Sequence, residues 1–295
     1  MTGAALPAPG FRRLHRRDPG FPELLGRVHG PPAALFLRGA GDAGVLARPA
    51  VAIVGARACS PYGAQVARML GRELAAAGLV IVSGLARGVD GEAHRGALEA
   101  DGLTVAVLGC GIDRDYPAAH AELARRICER GLVVSEYEPG VDPAPWRFPA
   151  RNRIIAGLVA AAVIVEARER SGALITADFA LEEGRTVFAV PGEITGALAV
   201  GTNRLLRDGA APLTSAADVL DVFGFAASTA RPKPPLGAAA GQLFERLRER
   251  PASVDELARA AGMASAEVSA ALTELELAGA ANAADGLYRA VVPAV

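Results

Sequence analysis

The sequence predicts an α/β fold in which helices cover both faces of a parallel sheet, followed by a small and mostly helical domain. Apolar runs alternate with amphipathic segments of helical period between residues 51 and 222. The runs contain no polar alternation, which indicates strands buried on both faces. A stretch rich in proline, glycine and alanine then precedes three short helical patterns near the C-terminus.

The clearest strand–turn–helix unit begins at Val51. Val51-Ala52-Ile53-Val54 is an unbroken apolar run, and Gly55-Ala56-Arg57 forms a turn after it. Ser60 suits an N-cap, and Pro61 suits the first helical position, where its missing N–H costs nothing. Backbone N–H groups at a helix N-terminus attract anions, so we expect a phosphate site here, with Arg57 beside it.

The same reasoning places the remaining elements. Strands are predicted at residues 51–54, 80–82, 104–108, 132–135, 162–165 and 187–190. Helices are predicted at residues 61–77, 91–100, 118–130, 152–158, 174–183 and 215–222. Right-handed crossovers would place these helices on both faces of a Rossmann-like parallel sheet. Ahead of the sheet, residues 1–20 are expected to be irregular, and residues 34–37 are expected to form one edge strand.

Composition divides the chain into four predicted segments. Residues 1–47 form a partly irregular N-terminal lead-in, and residues 48–224 form the Rossmann-like domain. Residues 225–240 form a Pro/Gly/Ala-rich linker. Residues 241–295 are winged-helix-like, because three helical patterns precede Asp285-Gly286, a dipeptide typical of a hairpin.

Bulk composition excludes several classes of function. Lysine and arginine total 31 against 32 acidic residues, so a duplex-coating basic protein is not indicated, although a local basic pocket is compatible with this balance. The three cysteines share no metal-ligand or disulfide spacing, and we predict no metal and no cofactor. The sequence shows no signal peptide and no membrane span, so we expect a cytoplasmic protein. The single lysine, Lys233, lies in the linker, which excludes a Walker-type phosphate loop.

The loops after the predicted strands are the candidate ligand site, because ligands of open parallel sheets bind beyond the carboxyl ends of the strands. These loops are small or glycine-rich, and three of them carry arginines: residues 55–60, 83–94, 109–113, 136–153, Glu166 with Ser171-Gly172, and 191–193. The second loop offers Ser83, Gly84, Gly88 and Gly91 for close approach of an anion. Its His94 is more typical of a packed histidine than of a general base.

The segment of residues 146–153 places two aromatic residues among three arginines. In a functional interpretation, a base stacks on Phe148 or Trp146 while the arginines hold phosphates, as in single-strand binding. In a structural interpretation, the rings are buried and the arginines are solvated charges. We favour the first, because the segment leads into a helix predicted to begin at Asn152 on the ligand edge.

With these residues the chain resembles the DNA-processing protein A family (DprA, also called Smf), the single-strand DNA-binding mediators of natural transformation. The resemblance extends from about Phe21 to Phe223. The matching motifs are Val54-Gly55-Ala56-Arg57 with Ser60 and Gly63, Ser83-Gly84-Leu85-Ala86-Arg87-Gly88-Val89-Asp90 with Ala93-His94, Gly109-Cys110-Gly111 with Tyr116-Pro117, Ser135-Glu136 with Pro139-Gly140, Phe148-Pro149, Arg151-Asn152-Arg153-Ile154-Ile155-Ala156-Gly157-Leu158, Val165-Glu166-Ala167, Ser171-Gly172-Ala173-Leu174-Ile175-Thr176-Ala177, Gly184-Arg185, Val190-Pro191-Gly192, and Gly201-Thr202-Asn203 with Gly209-Ala210.

The resemblance implies a non-enzymatic Rossmann-like domain that binds and protects single-stranded DNA, forms a homodimer and loads a RecA-type recombinase. It implies that Arg57 binds phosphate, that Ser83 and Gly84 make backbone contacts to the strand, and that residues 148–152 bind bases and phosphates. The expected DNA-binding residues are Gly55, Arg57, Ser83, Gly84, Arg87, Gly88, Phe148, Arg151, Asn152 and Arg153. The helical domain that opens many relatives is expected to be absent here.

An enzyme is the main alternative. Nucleotide N-glycosidases of the phosphoribohydrolase type share the Rossmann-like topology and carry a Pro-Gly-Gly-x-Gly-Thr-x-x-Glu loop. The corresponding Pro191-Gly192-Glu193-Ile194-Thr195-Gly196 lacks the second glycine and the Gly-Thr step, so no catalytic residue is predicted.

The C-terminal segment is acidic. Residues 241–295 carry five arginines against eight acidic residues, for a formal charge of −3. Its third helical pattern contains Glu267, Glu274 and Glu276 and neither lysine nor arginine. A DNA-reading winged helix normally presents a basic recognition helix. We therefore expect this segment to contact protein or a second copy of the chain.

Overall fold

A computed structural model describes residues 10–225, 236–284 and 286–291. The chain divides into two compact units, residues 1–227 and 228–295. Most of the predicted linker, residues 226–235, lies outside the described residues. In the described parts of the chain, no helix is long and apolar enough to cross a membrane.

The first unit is built on one sheet with the strand order β1-β2-β6-β5-β4-β3-β7-β8-β9. The strands are β1 (Arg12–His15), β2 (Ala34–Arg38), β3 (Ala50–Val54), β4 (Val80–Ser83), β5 (Thr104–Leu108), β6 (Leu132–Ser135), β7 (Ala161–Ile164), β8 (Thr186–Ala189) and β9 (Ala211–Pro212). Strands β3 to β9 run parallel to their neighbours within that set. Strand β2 runs antiparallel to both β1 and β6.

Helices pack on both faces of this sheet. They are α1 (Glu23–Gly26), α2 (Pro61–Ala76), α3 (Val89–Glu99), α4 (Ala121–Arg130), α5 (Arg147–Gly157), α6 (Gly172–Glu182), α7 (Val200–Arg207) and α8 (Ala216–Val222). Alternate strand residues face opposite ways, so Ala52 and Val54 pack with α1, α5 and α6, whereas Val51 and Ile53 pack with α2, α3 and α8. The predicted Rossmann-like fold is confirmed, since each apolar strand is covered on both sides.

The N-terminal region differs from its prediction. Residues 12–15, expected to be irregular, form β1, which pairs with β2 in a register that joins Arg12 to Leu37 and His15 to Ala34. The edge-strand prediction for residues 34–37 is wrong, because β2 lies between β1 and β6. The sequence pattern did not predict β1, because Leu14 is the single buried residue of this strand.

Helix α5 also begins earlier than predicted, at Arg147 and not at Asn152. Pro149 lies in this additional first turn. It is the third residue of α5, where the backbone N–H groups lack intrahelical partners and the missing donor costs nothing. The segment that carries Phe148 and Arg151 is therefore part of a helix.

The second unit contains α9 (Ala238–Glu249), α10 (Val254–Ala261) and α11 (Ser265–Leu277), followed by the antiparallel pair β10 (Ala281–Ala284) and β11 (Leu287–Ala290). A capping box between Ser253 and Glu256 starts α10, and Gly262, with a φ of +67°, ends it. Leu243, Leu257 and Leu272 form the centre of a separate core. Three helices and a hairpin in this order confirm the predicted winged-helix-like arrangement.

Candidate nucleic-acid interface

The strand order reverses at β3, which lies between β4 and β7. The chain after β3 enters α2 on one face, and the chain after β7 enters α6 on the other, so a crevice opens between the two connections. A cleft of about 480 Å³ lies at this point. Its lining comes from the segments after five strands: Val54, Gly55, Arg57, Ala86, Asp90, Tyr116, Pro145, Phe148, Pro149, Arg151, Asn152, Ile155, Ser171, Gly172, Ala173 and Thr176.

Phe148 is the aromatic centre of the cleft. Its ring stacks with that of Tyr116, with 5.3 Å between centroids and an interplanar angle of 26°. The guanidinium carbon of Arg57 lies 5.2 Å from the Phe148 centroid. Gly109 makes room for this ring, since a Cβ there would lie 2.9 Å from it. Segments that follow three different strands thus hold an aromatic face beside a cation.

Three arginines at this edge retain unpaired charge. Arg57 and Arg87 are exposed, and Arg87 follows Ala86 in the cleft lining. The Arg147 guanidinium donates to the carbonyl oxygen of Asp142. Within the described residues none of the three forms an ion pair with a carboxylate. A phosphate entering the cleft therefore meets arginines that are not already held in an ion pair with a protein carboxylate.

Arg151 forms the floor of the cleft. It is buried, and its Nη1 donates to the carbonyl oxygens of Gly84, at 2.8 Å, and of Val107. Its Nε donates to Asn152 Oδ1 at 3.2 Å, while Asn152 Nδ2 donates to the carbonyl oxygen of Gly172 at 3.0 Å. Burial lowers the pKa of Arg151 to about 10, against the opposing effect of the Asp90 charge. This network joins the ends of β4 and β5 to the start of α6.

Asp90 is the buried carboxylate opposite that arginine. Its Oδ2 accepts the backbone N–H groups of Gly84, at 3.1 Å, and Ala86, at 3.3 Å. Burial raises the pKa of Asp90, whereas the charge of Arg151 and the two backbone donors act in the opposite direction. Both backbone polar groups of Gly84 are thus used within the protein.

The anion site expected at the start of α2 is occupied by the protein itself. The Glu166 carboxylate, which follows β7, accepts the backbone N–H of Ser60 at 2.9 Å and also the Ser60 hydroxyl. Gly63 lies against it, since a Cβ there would be 2.4 Å from a carboxylate oxygen. The prediction of a phosphate at this helix N-terminus is therefore wrong, because Glu166 already supplies the negative charge.

Close packing explains why two of the predicted DNA-binding residues, Gly55 and Gly88, are glycines. Gly88 has a φ of +72°, and a Cβ there would lie 2.3 Å from the carbonyl oxygen of Ala56. A Cβ on Gly55 would lie 2.7 Å from Val89. These glycines allow the loop after β3 to lie directly on the start of α3, and this contact positions Arg57.

The predicted site residues fall into two groups, those that line the cleft and those that lie outside its lining. The predicted residues in the lining are Gly55, Arg57, Phe148, Arg151 and Asn152. Ser83 is buried, with its hydroxyl donating to the carbonyl oxygen of Ile53 at 2.6 Å. Arg153 pairs with Glu136, and both side chains are largely buried.

Ser171 and Gly172 at the start of α6 belong to a predicted ligand loop and do line the cleft, whereas sequence reasoning did not single out Tyr116. The only signal for Tyr116 was the family motif Tyr116-Pro117, because nothing local marks a tyrosine that will stack on a ring 32 positions away. His94 proves to be a packed histidine: it is buried, and its Nδ1 lies 2.7 Å from the Thr104 hydroxyl.

The loop after β8 does not contribute to the lining of the cleft. Asn203 clamps it through two hydrogen bonds to the backbone of Gly192, at 3.2 and 3.0 Å. Glu193, the position nearest to a glycosidase glutamate, is exposed and lies outside the lining. The expectation that this loop joins the ligand site is wrong.

The fold and site define a Rossmann-like domain with a cationic, aromatic cleft at its switch point, joined to a winged-helix unit. A profile of the family described as DNA recombination-mediator protein A matches residues 12–224. A profile described as the DprA winged helix domain matches residues 227–286. The chain belongs to the DNA recombination-mediator protein A family, which confirms the resemblance drawn from the motifs.

Relatives support this assignment at the level of sequence and structure. The DNA processing protein DprA of Streptococcus pneumoniae is 47% identical over 208 residues, or 70% of this chain and 73% of that protein. Its X-ray structure aligns with a TM-score of 0.69 and 45% identity, covering 72% of this chain and 74% of that one. DNA processing protein A of Helicobacter pylori, whose structure concerns a single-stranded DNA binding mode, aligns with a TM-score of 0.65 and 32% identity, covering 72% of this chain and 95% of that one.

Proposed function

We propose that this chain is a non-enzymatic, single-stranded DNA-binding recombination mediator, and that the cleft between the β3 and β7 connections is its DNA site. The observation that carries the proposal is the unpaired Arg57 guanidinium held over the Phe148 ring in an open cleft. An unpaired base stacks on an aromatic face while its phosphate meets a cation, and a duplex offers no unstacked base. The single-stranded DNA binding mode of the H. pylori relative supports the same assignment.

The predicted residues divide into two roles under this proposal. Arg57, Arg87 and Phe148 contact the strand directly, because they are exposed or line the cleft without a protein carboxylate on the cations. The other predicted residues support these contacts from below or from the side: Gly55, Ser83, Gly84, Gly88, Arg151, Asn152 and Arg153. The start of α6 adds partial positive charge at the cleft, since Ser171, Gly172 and Ala173 line it.

The finer functions implied by the family are part of the proposal. The protein protects incoming single strands in the cytoplasm during natural transformation, forms a homodimer and loads a RecA-type recombinase. The proposed domains are an N-terminal lead-in of residues 1–47, a DNA-binding domain of residues 48–224, a linker of residues 225–240 and a C-terminal domain of residues 241–295. Residues 241–295 serve protein contacts, because their charge is −3 and Leu277 at the end of α11 is 86% exposed.

The N-glycosidase alternative is less well supported by the cleft. Its activity needs a free carboxylate beside the glycosidic bond, whereas Glu193 lies outside the cleft lining and Asp90, which lies in the lining, is held by the backbone N–H groups of Gly84 and Ala86. Incubation with AMP should release no free adenine. Release that tracks protein concentration would overturn the non-enzymatic proposal.

A salt-dependent binding titration tests the proposed function. Labelled single-stranded and duplex oligonucleotides of equal length are titrated with the protein at several salt concentrations. We expect the single strand to bind more tightly at every salt concentration, with log Kd rising linearly with log salt. Equal affinity for the two forms at moderate salt would refute the proposal.

A further inference from the structure

Trp146 is a large aromatic side chain left in solvent at the rim of the cleft. It precedes the first residue of α5, and 63% of its surface is exposed. Its neighbours Pro145 and Phe148 both line the cleft. An exposed indole contributes nothing to the apolar core, so packing does not explain this residue.

Arg147 holds the Trp146 ring in place. Its guanidinium carbon lies 4.7 Å from the Trp146 centroid and 5.2 Å from the Tyr137 centroid. The same guanidinium donates to the carbonyl oxygen of Asp142. One guanidinium is thus shared by two rings and anchored to backbone, which restrains the indole before any ligand arrives.

The charge around Trp146 and its position beside the cleft indicate which kind of ligand covers the exposed indole. Arg147 and Arg57 lack carboxylate partners within the described residues, so the surroundings favour an anionic ligand. Trp146 directly precedes α5, and Phe148 is the second residue of that helix and lines the cleft. A ligand that fills the cleft contacts the Phe148 ring there, and the part of it that continues out of the cleft contacts the Trp146 ring. A single strand has that form, because it carries a π-face on every nucleotide.

We propose that Trp146 is a second base-stacking platform, which receives a nucleobase next to the one bound at Phe148. This inference rests on the proposed function and deepens it: the protein recognises at least two neighbouring bases in addition to the phosphates. A polyanion without bases fills only the cationic part of the site.

Trp146 is the sole tryptophan of the chain, so its fluorescence reports this platform without a label. The full chain is titrated with an oligothymidylate and with an abasic strand of equal length, while anisotropy of end-labelled strands measures binding in parallel. We expect the oligothymidylate to quench Trp146 emission in step with binding. The abasic strand should bind more weakly and leave the emission nearly unchanged.

Variants supply the second readout. Trp146→Ala should weaken oligothymidylate binding by about 5- to 150-fold, the loss expected for one stacked base. Trp146→Phe should recover most of that loss. The matched control is Ile194→Ala, since Ile194 is 94% exposed and lies outside the cleft lining. Its affinity should equal that of the unmodified chain.

Three results would overturn the proposal that Trp146 stacks a nucleobase. In the first, the oligothymidylate binds without quenching, Trp146→Ala binds normally, and the proposed DNA site stands without its outer platform. In the second, the abasic strand quenches as strongly as the oligothymidylate, so Trp146 senses phosphate. In the third, emission changes with protein dilution and not with DNA, so a second copy covers the ring. Failure of both strands to bind at low salt would instead reject the proposed function itself.

Discussion

Replacing Arg57 by alanine tests the electrostatic part of the cleft with little effect on the fold. Arg57 is exposed, lies on the loop after β3 and forms no ion pair within the described residues. Its main contact is the cation–π interaction with Phe148, at 5.2 Å. We therefore expect the free energy of unfolding to change by less than about 1 kcal/mol.

The loss of binding has two components. Removing one charge-assisted hydrogen bond to a phosphate costs about 1.5–3 kcal/mol, or about 10- to 150-fold in Kd. Losing one phosphate contact on a single strand should also reduce the slope of log K against log salt by about 0.7. Arg57→Lys separates the effect of the positive charge from the effect of the planar guanidinium group. It keeps the charge, and so most of the slope, but loses the planar group over Phe148.

Anisotropy titrations at several salt concentrations measure both components, and thermal unfolding measures the fold. Arg207→Ala is the matched control, because the Arg207 side chain is 78% exposed and lies outside the cleft lining. Its affinity and slope should match those of the unmodified chain. An unchanged salt slope in Arg57→Ala, together with a melting temperature lowered by several degrees, would show that Arg57 is structural and that the reasoning is wrong.

Four further outcomes are expected. Arg151→Met should lower the free energy of unfolding by about 2–6 kcal/mol in urea, because it leaves the buried carbonyl oxygens of Gly84 and Val107 without their donor, at about 1–3 kcal/mol each; a loss below about 1 kcal/mol would contradict this. Burial lowers the pKa of His94 to about 3 from an ordinary 6.5, so the unfolded chain takes up a proton first as pH falls. Stability should then fall by about 1.4 kcal/mol per pH unit between these values, and an equal slope in His94→Gln would count against the assignment. Deleting residues 225–295 should leave single-strand affinity within about threefold, a change below about 1 kcal/mol, whereas a tenfold loss with dimerisation intact would mean that the C-terminal unit touches DNA. Excess AMP should not displace a bound single strand, because Glu166 occupies the α2 N-terminus; displacement measured by anisotropy would show that the cleft accepts a free nucleotide despite this carboxylate.

Local patterns were sufficient for the central part of the fold. Strands β3 to β8 are continuous apolar runs, and burial on both faces leaves few other structures for such runs. The same reasoning could not find β1, where Leu14 is the single buried residue and pairing with β2 supplies the stability. Nor could it place the start of α5, because a proline argues against a helix unless its position in the first turn is already known.

The candidate site was predictable in its location but not in its internal connections. Loops at the carboxyl ends of parallel strands must converge, so Arg57 and Phe148 were expected near one another and do meet. The contact between Glu166 and Ser60 joins residues 106 positions apart, and no local pattern indicates such a pair. Likewise, Arg151 has the sequence pattern of a DNA-contacting residue, and only the fold shows that it is buried.

The Glu166 carboxylate has a consequence for competition inside a cell. In many proteins of this architecture the N-terminus of the helix after the first parallel strand holds a terminal phosphate, and mononucleotides bind there. Here a built-in carboxylate fills that position and repels a second negative charge. Under the proposed function, we expect the cleft to disfavour free nucleotides and to keep its remaining cations for phosphodiesters within a chain. Selectivity for polymer over monomer would then follow from Glu166, one buried side chain that lies outside the cleft lining.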